Sequence, residues 1–244
     1  MPSKTSFSSK LVKLLKSNID LIYLPILAII TFYAAQFIVG VPMLIILGSD
    51  TLKTPFIATI FSVLVYSLSF IFLLFTLKHI KSLKDPVTRN ELGLNDLVTF
   101  SDIGLAIAGF FGYLAFSAIL TALFSVFPWF NLTENQPLLY STLISPLNKV
   151  FAAIALVVFG PILEEVIYRG LIYGKLRKKH SLITSILIVS ILFGFLHGQW
   201  NVGVDVFALS VVACLMRETT GTIYAGIILH ILKNTIAFYF LFMA

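Results

Sequence analysis

Five polar side chains that could carry out hydrolysis lie in apolar surroundings in the last two fifths of the sequence: Glu164, Glu165, His197, His230 and Asn234. A carboxylate in a poorly solvated site is a competent general base near neutral pH. Neighbouring imidazoles and an asparagine amide can donate hydrogen bonds to a developing oxyanion. These residue types together predict a site in which a glutamate activates water for attack on a peptide carbonyl.

The same residue types are compatible with a second hydrolytic chemistry. Glu164, His197 and His230 could ligate zinc and leave one coordination position open for water. The sequence contains no HExxH motif, which would be the strongest sequence signal for such a site. A covalent nucleophile is disfavoured, because there is no Gly-x-Ser-x-Gly motif and the single cysteine, Cys214, lies in an apolar run. Direct water activation and zinc both remain open at this point.

The spacing of the two glutamates predicts different roles for them. Glu165 and Arg169 are four residues apart, so on a helix their side chains share a face and can form an ion pair. Glu164 projects about 100° away around the same helix and is therefore left available for chemistry. We predict one catalytic glutamate and, beside it, a supporting ion pair.

The two histidine segments also have helical spacing. His230 and Asn234 are four residues apart and share a face, and Phe193 lies one turn before His197, where its ring can exclude water from the imidazole. Measured from the nearest basic cluster at about 1.5 Å per residue, Glu164 lies about 16 Å, His230 about 20 Å and His197 about 27 Å into the membrane. We expect three helices to bring these groups together.

The composition predicts that these segments are membrane helices. Of the 244 residues, 59% are hydrophobic and 11% are charged, and the mean hydropathy is +1.00. Soluble domains carry about 25% charged residues. We expect an all-α polytopic transmembrane bundle of about seven helices, with six to eight compatible with the pattern, because each crossing needs roughly 20 apolar residues. The apolar spans fall at about 19–47, 56–77, 103–127, 147–174, 182–197, 204–216 and 221–242.

The basic residues predict the orientation of the bundle. If the spans alternate in direction, thirteen of the 17 lysines and arginines fall on one side, and the other side keeps Lys53 and Lys149. Because cytoplasmic loops are enriched in lysine and arginine, the N-terminus is expected in the cytoplasm. The basic clusters form no continuous face for nucleic acid. We expect residues 1–146 to form N-terminal membrane helices and residues 147–244 to form the catalytic core.

Three short motifs occur in order within the apolar segments: EExxxR at Glu164, Glu165 and Arg169, FxxxH at Phe193 and His197, and HxxxN at His230 and Asn234. Their order and spacing resemble the CPBP family of intramembrane proteases. That family includes the CAAX-prenyl endopeptidases and the bacterial Abi proteins associated with bacteriocin processing and immunity. The resemblance covers about residues 147–241.

The resemblance implies an intramembrane endopeptidase in which Glu164 activates water. It also implies that His197, His230 and Asn234 orient the water and stabilise the oxyanion, while Glu165 and Arg169 support the site. The expected substrate is a peptide precursor or a membrane-associated protein. The expected location is the plasma membrane, in a bacterial cell. The resemblance leaves the need for a metal, zinc included, open.

Two other classes of function fit the same composition. One is a non-catalytic bacteriocin-immunity or scaffold protein of the same fold, which would bind a peptide or another membrane protein. The other is a proton-coupled transporter, although transporters often show inverted repeats or two discontinuous helices, and we find neither in the sequence. Lys233 is a further cation within an apolar span, and it can pair with Asp205 or extend to the membrane interface.

Overall fold

The described part of the chain is a bundle of helices. The computed structural model describes residues 19–79, 87–134 and 145–243, and these residues contain no strand. Their seven long helices are α1 (Asp20–Leu47), α2 (Pro55–His79), α3 (Phe100–Phe124), α4 (Pro146–Arg177), α5 (Leu182–Phe195), α6 (Trp200–Thr220) and α7 (Tyr224–Phe242). The predicted all-α polytopic fold is confirmed.

Helices α1, α2, α3, α4 and α7 are long and apolar enough to cross a membrane. Helix α5 is apolar but has 14 residues, and α6 has 21 residues and carries Asp205, Arg217 and Glu218. Large apolar side chains such as Phe37 and Ile45 are exposed on the outside of the bundle, as expected for a surface that faces lipid. The chain is therefore a multi-pass membrane protein, and the number of seven crossings stays a prediction.

Several sequence features of the predicted topology lie outside the described residues. They are Lys4, Lys10, Lys13 and Lys16 before α1, and Lys81 and Lys84 in the connection after α2. The predicted orientation of the bundle depends on these lysines, so it also stays a prediction.

Helix α4 departs from α-helical winding twice. Two π-helical stretches, Ile154–Phe159 and Val166–Ile172, lie on either side of one α-helical stretch, Gly160–Glu165. A π-helical turn shifts the backbone hydrogen bonds by one residue, and such turns occur often at functional sites. Glu164 and Glu165 are the last two residues of the α-helical stretch, directly before the second π-helical stretch begins at Val166.

Helices α5 and α6 form a tight antiparallel pair. A Cβ atom built on Gly194 would lie 2.7 Å from the carbonyl oxygen of Gly203, and one built on Gly203 would lie 2.9 Å from that of Gly194. Small residues let two helix backbones approach closely within a membrane protein. The turn between the helices contains His197, two residues beyond the end of α5.

The two regions separated by the predicted boundary pack against each other. Helix α2 contacts α4, and helix α3 contacts α6 and α7. On one end of the bundle, the short helix Arg89–Leu92 packs against α4, where the buried Glu91 pairs with Lys175 at 3.0 Å and with Lys178 at 3.1 Å. The boundary between residues 146 and 147 therefore stays a prediction, in a bundle that both regions build together.

The close crossing of α5 and α6 yields a test of the fold. Gly203→Ala should lower the unfolding temperature in detergent, because the added methyl would overpack the contact and such changes cost about 1–3 kcal/mol. Gly112→Ala in α3 is the matched control, since no heavy atom lies within 4 Å of a Cβ at that position. Equal unfolding temperatures for the two variants would contradict the close approach of the two backbones at Gly203.

Candidate active site

Four of the five polar residues predicted from the sequence line one cavity inside the bundle, and Glu165 is buried behind its wall. The cavity has a volume of about 290 Å³ and is lined by residues from six of the long helices and from the turn that contains His197. Its polar and ionisable lining residues are Ser62, Tyr66, Glu164, Tyr168, His197, His230, Lys233 and Asn234. The expected convergence of the three helical segments is thus present in the structure. The catalytic roles of these residues stay predictions.

Glu164 presents its carboxylate to this cavity from α4. Its side chain is 12% exposed, so it is largely shielded but reachable from the cavity. The hydroxyl of Tyr66 donates a hydrogen bond to Oε1, while Oε2 lies 3.6 Å from Nε2 of His230. The two carboxylate oxygens therefore have different neighbours.

Three buried ionisable side chains connect α4 to α7 next to Glu164. Oε1 of Glu165 lies 3.0 Å from Nδ1 of His230 and 2.9 Å from Nη1 of Arg169. The side chains of Glu165, Arg169 and His230 are 0%, 1% and 3% exposed. The ion pair that the sequence predicts between Glu165 and Arg169 is present. The contact of Glu165 with His230 adds a link that the sequence did not indicate.

The position of the Glu165 carboxylate depends on a glycine in α7. Gly226 lies four residues before His230, and a Cβ atom at Gly226 would lie 3.0 Å from Oε2 of Glu165. Such a distance is shorter than ordinary van der Waals contact. The lack of a side chain at Gly226 therefore lets the carboxylate lie against the backbone of α7, beside the imidazole that it contacts.

The Phe193 ring forms one wall of the histidine environment. Its centroid lies 4.9 Å from the ring of His197 and 5.9 Å from the ring of His230, which it meets edge to face. The guanidinium carbon of Arg169 lies 4.4 Å from the same centroid, a distance typical of a cation–π contact. The predicted packing of Phe193 beside His197 is present, and the ring also packs against Arg169 and His230.

The geometry determines which nitrogen of His197 carries a proton in the neutral ring. Nδ1 lies 2.7 Å from the carbonyl oxygen of Phe193. A carbonyl oxygen can only accept a hydrogen bond, so Nδ1 carries the hydrogen and donates it. Nε2 of the neutral ring is then a hydrogen-bond acceptor, and the His197 side chain lines the cavity.

Asn234 is oriented by one of the π-helical stretches of α4. Its amide nitrogen donates a hydrogen bond to the carbonyl oxygen of Leu156 at 2.8 Å, and Leu156 lies within Ile154–Phe159. An amide nitrogen carries two hydrogens, so the second one is left for a group bound in the cavity.

Lys233 has a partner in the neighbouring helix. Its Nζ atom lies 3.5 Å from Oδ2 of Asp205 in α6. The other carboxylate oxygen of Asp205 accepts hydrogen bonds from Tyr113 at 2.6 Å and from Ser117 at 2.7 Å, both in α3. The pairing with Asp205 that the sequence offered for Lys233 is therefore present, and it ties α3, α6 and α7 together.

The described residues do not form a ready-made metal site. Among them, no group of three or more His, Cys, Asp or Glu side chains is arranged to hold a metal ion. Within the zinc set that the sequence offered, His230 contacts Glu165 through Nδ1, which leaves Nε2 available, as in a metal-ligating histidine supported by a carboxylate. Glu164, His197 and His230 share a cavity wall, but as they stand they form no preformed metal centre, and the need for zinc stays open.

Sequence reasoning placed the chemistry after residue 147 and missed Tyr66. This residue lies in α2 and contacts the carboxylate that we predict to be catalytic. It is one of nine tyrosines in the chain, and it lies in an apolar helix without a surrounding motif. No local sequence signal distinguishes it, because its role arises from the packing of α2 against α4.

The buried ion pair yields a test of the site's architecture. Arg169→Gln should destabilise the protein by about 3–5 kcal/mol, because it leaves the buried Glu165 carboxylate without its guanidinium partner. Arg177→Gln is the matched control, since its side chain is 37% exposed and its pairing with Glu218 should contribute little. Denaturant unfolding of both variants in detergent measures the difference. An equal loss of stability in the two variants would be inconsistent with a buried Arg169.

Comparison with known proteins identifies the region that holds most of this site. The family model for the type II CAAX prenyl endopeptidase Rce1-like proteins matches residues 146–236. A Bacillus subtilis (strain 168) protein, "Putative membrane peptidase YdiL", is 32% identical over 132 residues, which is 53% of this chain and 52% of that protein. The chain thus spans about half the length of this curated relative. No solved structure matches. Residues 146–236 are therefore similar to the family of the CAAX prenyl endopeptidases, in agreement with the resemblance that the three motifs predict.

Proposed function

We propose that this protein is an intramembrane peptidase that hydrolyses a membrane-associated or peptide-precursor substrate with water activated by Glu164. The observation that carries the proposal is a largely shielded carboxylate that faces a cavity beside two imidazoles and an amide. The description of the Bacillus subtilis relative as a membrane peptidase supports the same class of reaction.

In this proposal, Glu164 and His197 hold the attacking water between them. The carboxylate and Nε2 of the neutral His197 ring are both acceptors, so each can take one hydrogen of the water. This arrangement turns a lone pair of the water oxygen towards the substrate carbonyl carbon. As the oxygen–carbon bond forms, one water proton passes to Glu164, which acts as the general base.

The remaining polar groups serve the tetrahedral intermediate. The second amide hydrogen of Asn234 can donate to the oxyanion. Nε2 of His230 can donate as well when that ring is doubly protonated, with Nδ1 held on Glu165. When the carbon–nitrogen bond breaks, Glu164 returns its proton to the leaving amine. One hydrogen of the water therefore ends on the amine product, and the other stays on the new carboxyl group.

We also infer a location from the chain's charges. The excess of lysine and arginine on one side of the predicted spans favours a cytoplasmic N-terminus in a plasma membrane. The bacterial source of the curated relative supports a bacterial membrane. Epitope tags placed at each terminus and probed with an impermeant reagent test this orientation.

Glu164→Gln tests the function directly. The variant should lose cleavage by roughly 100-fold or more, because an amide cannot serve as a general base. Comparative proteomics of cells with wild-type or Glu164→Gln protein should show the substrate as peptides that accumulate uncleaved. Glu134→Gln is the matched control, since Glu134 is an exposed residue outside the helices.

A phenotype that survives Glu164→Gln would remove the peptidase proposal. It would favour the non-catalytic immunity or scaffold alternative, which needs the fold but not the base.

Metal removal separates the two hydrolytic chemistries. If Glu164 activates water directly, the purified protein should keep its cleavage activity after treatment with 1,10-phenanthroline. Metal analysis of the purified protein should then find much less than one zinc per chain. Inhibition that zinc reverses, with about one zinc per chain, would instead make Glu164, His197 and His230 zinc ligands.

A further inference from the structure

We propose that Tyr66 is a positioning residue for Glu164: its hydroxyl holds one carboxylate oxygen and so directs the other towards the water. The inference rests on the proposed function, because it assigns a task within that reaction. Tyr66 lies outside residues 146–236, the region matched by the family model. The site would therefore be completed by a helix from the first half of the chain.

The first support is the contact itself. An ionised carboxylate can only accept hydrogen bonds, so the Tyr66 hydroxyl is the donor and Oε1 of Glu164 is the acceptor. The terminal torsion of a glutamate is broad and twofold, so an unrestrained carboxylate exchanges its two oxygens easily. A donor on one oxygen removes this freedom. Oε2, on the side of His230, is then the oxygen that remains for the water.

The second support is that the Tyr66 ring packs against α1 and α4, and that α2 itself is tied to α4. The ring of Phe32 in α1 lies 5.9 Å away, centroid to centroid. A Cβ atom on Gly160 would lie 3.9 Å from Cε2 of Tyr66, so the ring rests against α4 one turn before Glu164. Two turns earlier in α2, Thr59 donates a hydrogen bond to the carbonyl oxygen of Phe151 at 2.9 Å, which fixes α2 along α4.

The third support is the small size of Gly160. This residue precedes Glu164 by four positions, so the two share a face of α4. A Cβ atom at position 160 would lie 2.9 Å from the carbonyl oxygen of Ala155 and 3.9 Å from Cε2 of Tyr66, so the glycine serves the winding of α4 as well as the packing of the tyrosine. The face of α4 that presents the carboxylate is therefore also shaped to receive the tyrosine.

Tyr66→Phe tests the proposal, because it removes the hydroxyl and leaves the ring and its packing. Hydrogen bonds to charged groups contribute about 1.5–3 kcal/mol, so kcat should fall by roughly 10-fold to 100-fold. KM should stay within about twofold, since the hydroxyl acts on the base and not on substrate binding. Tyr33→Phe, the same change at an exposed tyrosine of α1, should have wild-type kcat and KM.

A second measurement separates positioning from a structural contribution. In Glu164→Asp the carboxylate is withdrawn by one methylene and loses its contact with Tyr66, so adding Tyr66→Phe should cost much less than it does in the wild type. An equal loss of kcat in both backgrounds would overturn the proposal. Rates are expressed per monodisperse, folded protein, so that a change in folding does not enter the comparison.

The same assay distinguishes failure of this inference from failure of the proposed function. Full activity in Glu164→Gln removes the proposed function and this inference with it. Loss of activity in Glu164→Gln together with wild-type kcat in Tyr66→Phe removes the positioning role alone.

Discussion

The buried carboxylate of Glu165 is the constraint on which the rest of the site depends. It lies within 3.0 Å of both the Arg169 guanidinium and the His230 imidazole, and a buried carboxylate without such partners would be strongly unfavourable. Because Arg169 belongs to α4 and His230 to α7, satisfying this one charge fixes the two helices against each other. The Phe193 ring of α5 closes over the same charges. These contacts fix α4, α5 and α7 relative to one another, and this packing sets the positions of the candidate catalytic residues.

The backbone of α4 also determines the geometry of the site, because its π-helical stretches change the directions in which side chains project. An unbroken α-helix turns each residue by about 100°, whereas the π-helical stretches on either side of Gly160–Glu165 change the direction of the faces that follow. One consequence is visible at Asn234, whose amide bonds to the carbonyl oxygen of Leu156 in the first of these stretches. The winding of α4 therefore orients a residue of α7 as well as its own glutamates.

Sequence reasoning was strongest where the signal is local. Charged residues in apolar spans, separated by four positions, predicted the Glu165–Arg169 pair and the gathering of Glu164, His197 and His230 around one cavity. Helical periodicity and membrane cost are both properties of short segments, so they can be read from a single sequence. The three motifs lie within such segments, and the family model matches the region that contains them.

Other features depend on packing between distant segments and had no local signal. Tyr66 meets Glu164 across 98 positions of sequence. Asp205 in α6 accepts hydrogen bonds from two residues of α3, which its sequence surroundings did not indicate. His197 was expected inside a membrane span, but α5 ends at Phe195 and His197 lies in the turn that follows. The π-helical stretches have no signature in the apolar sequence that forms them.

Two of the ion pairs among the described residues differ in a way that bears on how the chain enters the membrane. Glu165 and Arg169 belong to a single helix, so their charges can neutralise each other as soon as α4 forms, before any neighbour arrives. Lys233 and Asp205 belong to α7 and α6, so neither charge is compensated until these helices meet. Since an isolated charge within the bilayer is costly, Glu165 and Arg169 add little to the cost of inserting α4, whereas α6 and α7 benefit from insertion as a helical hairpin.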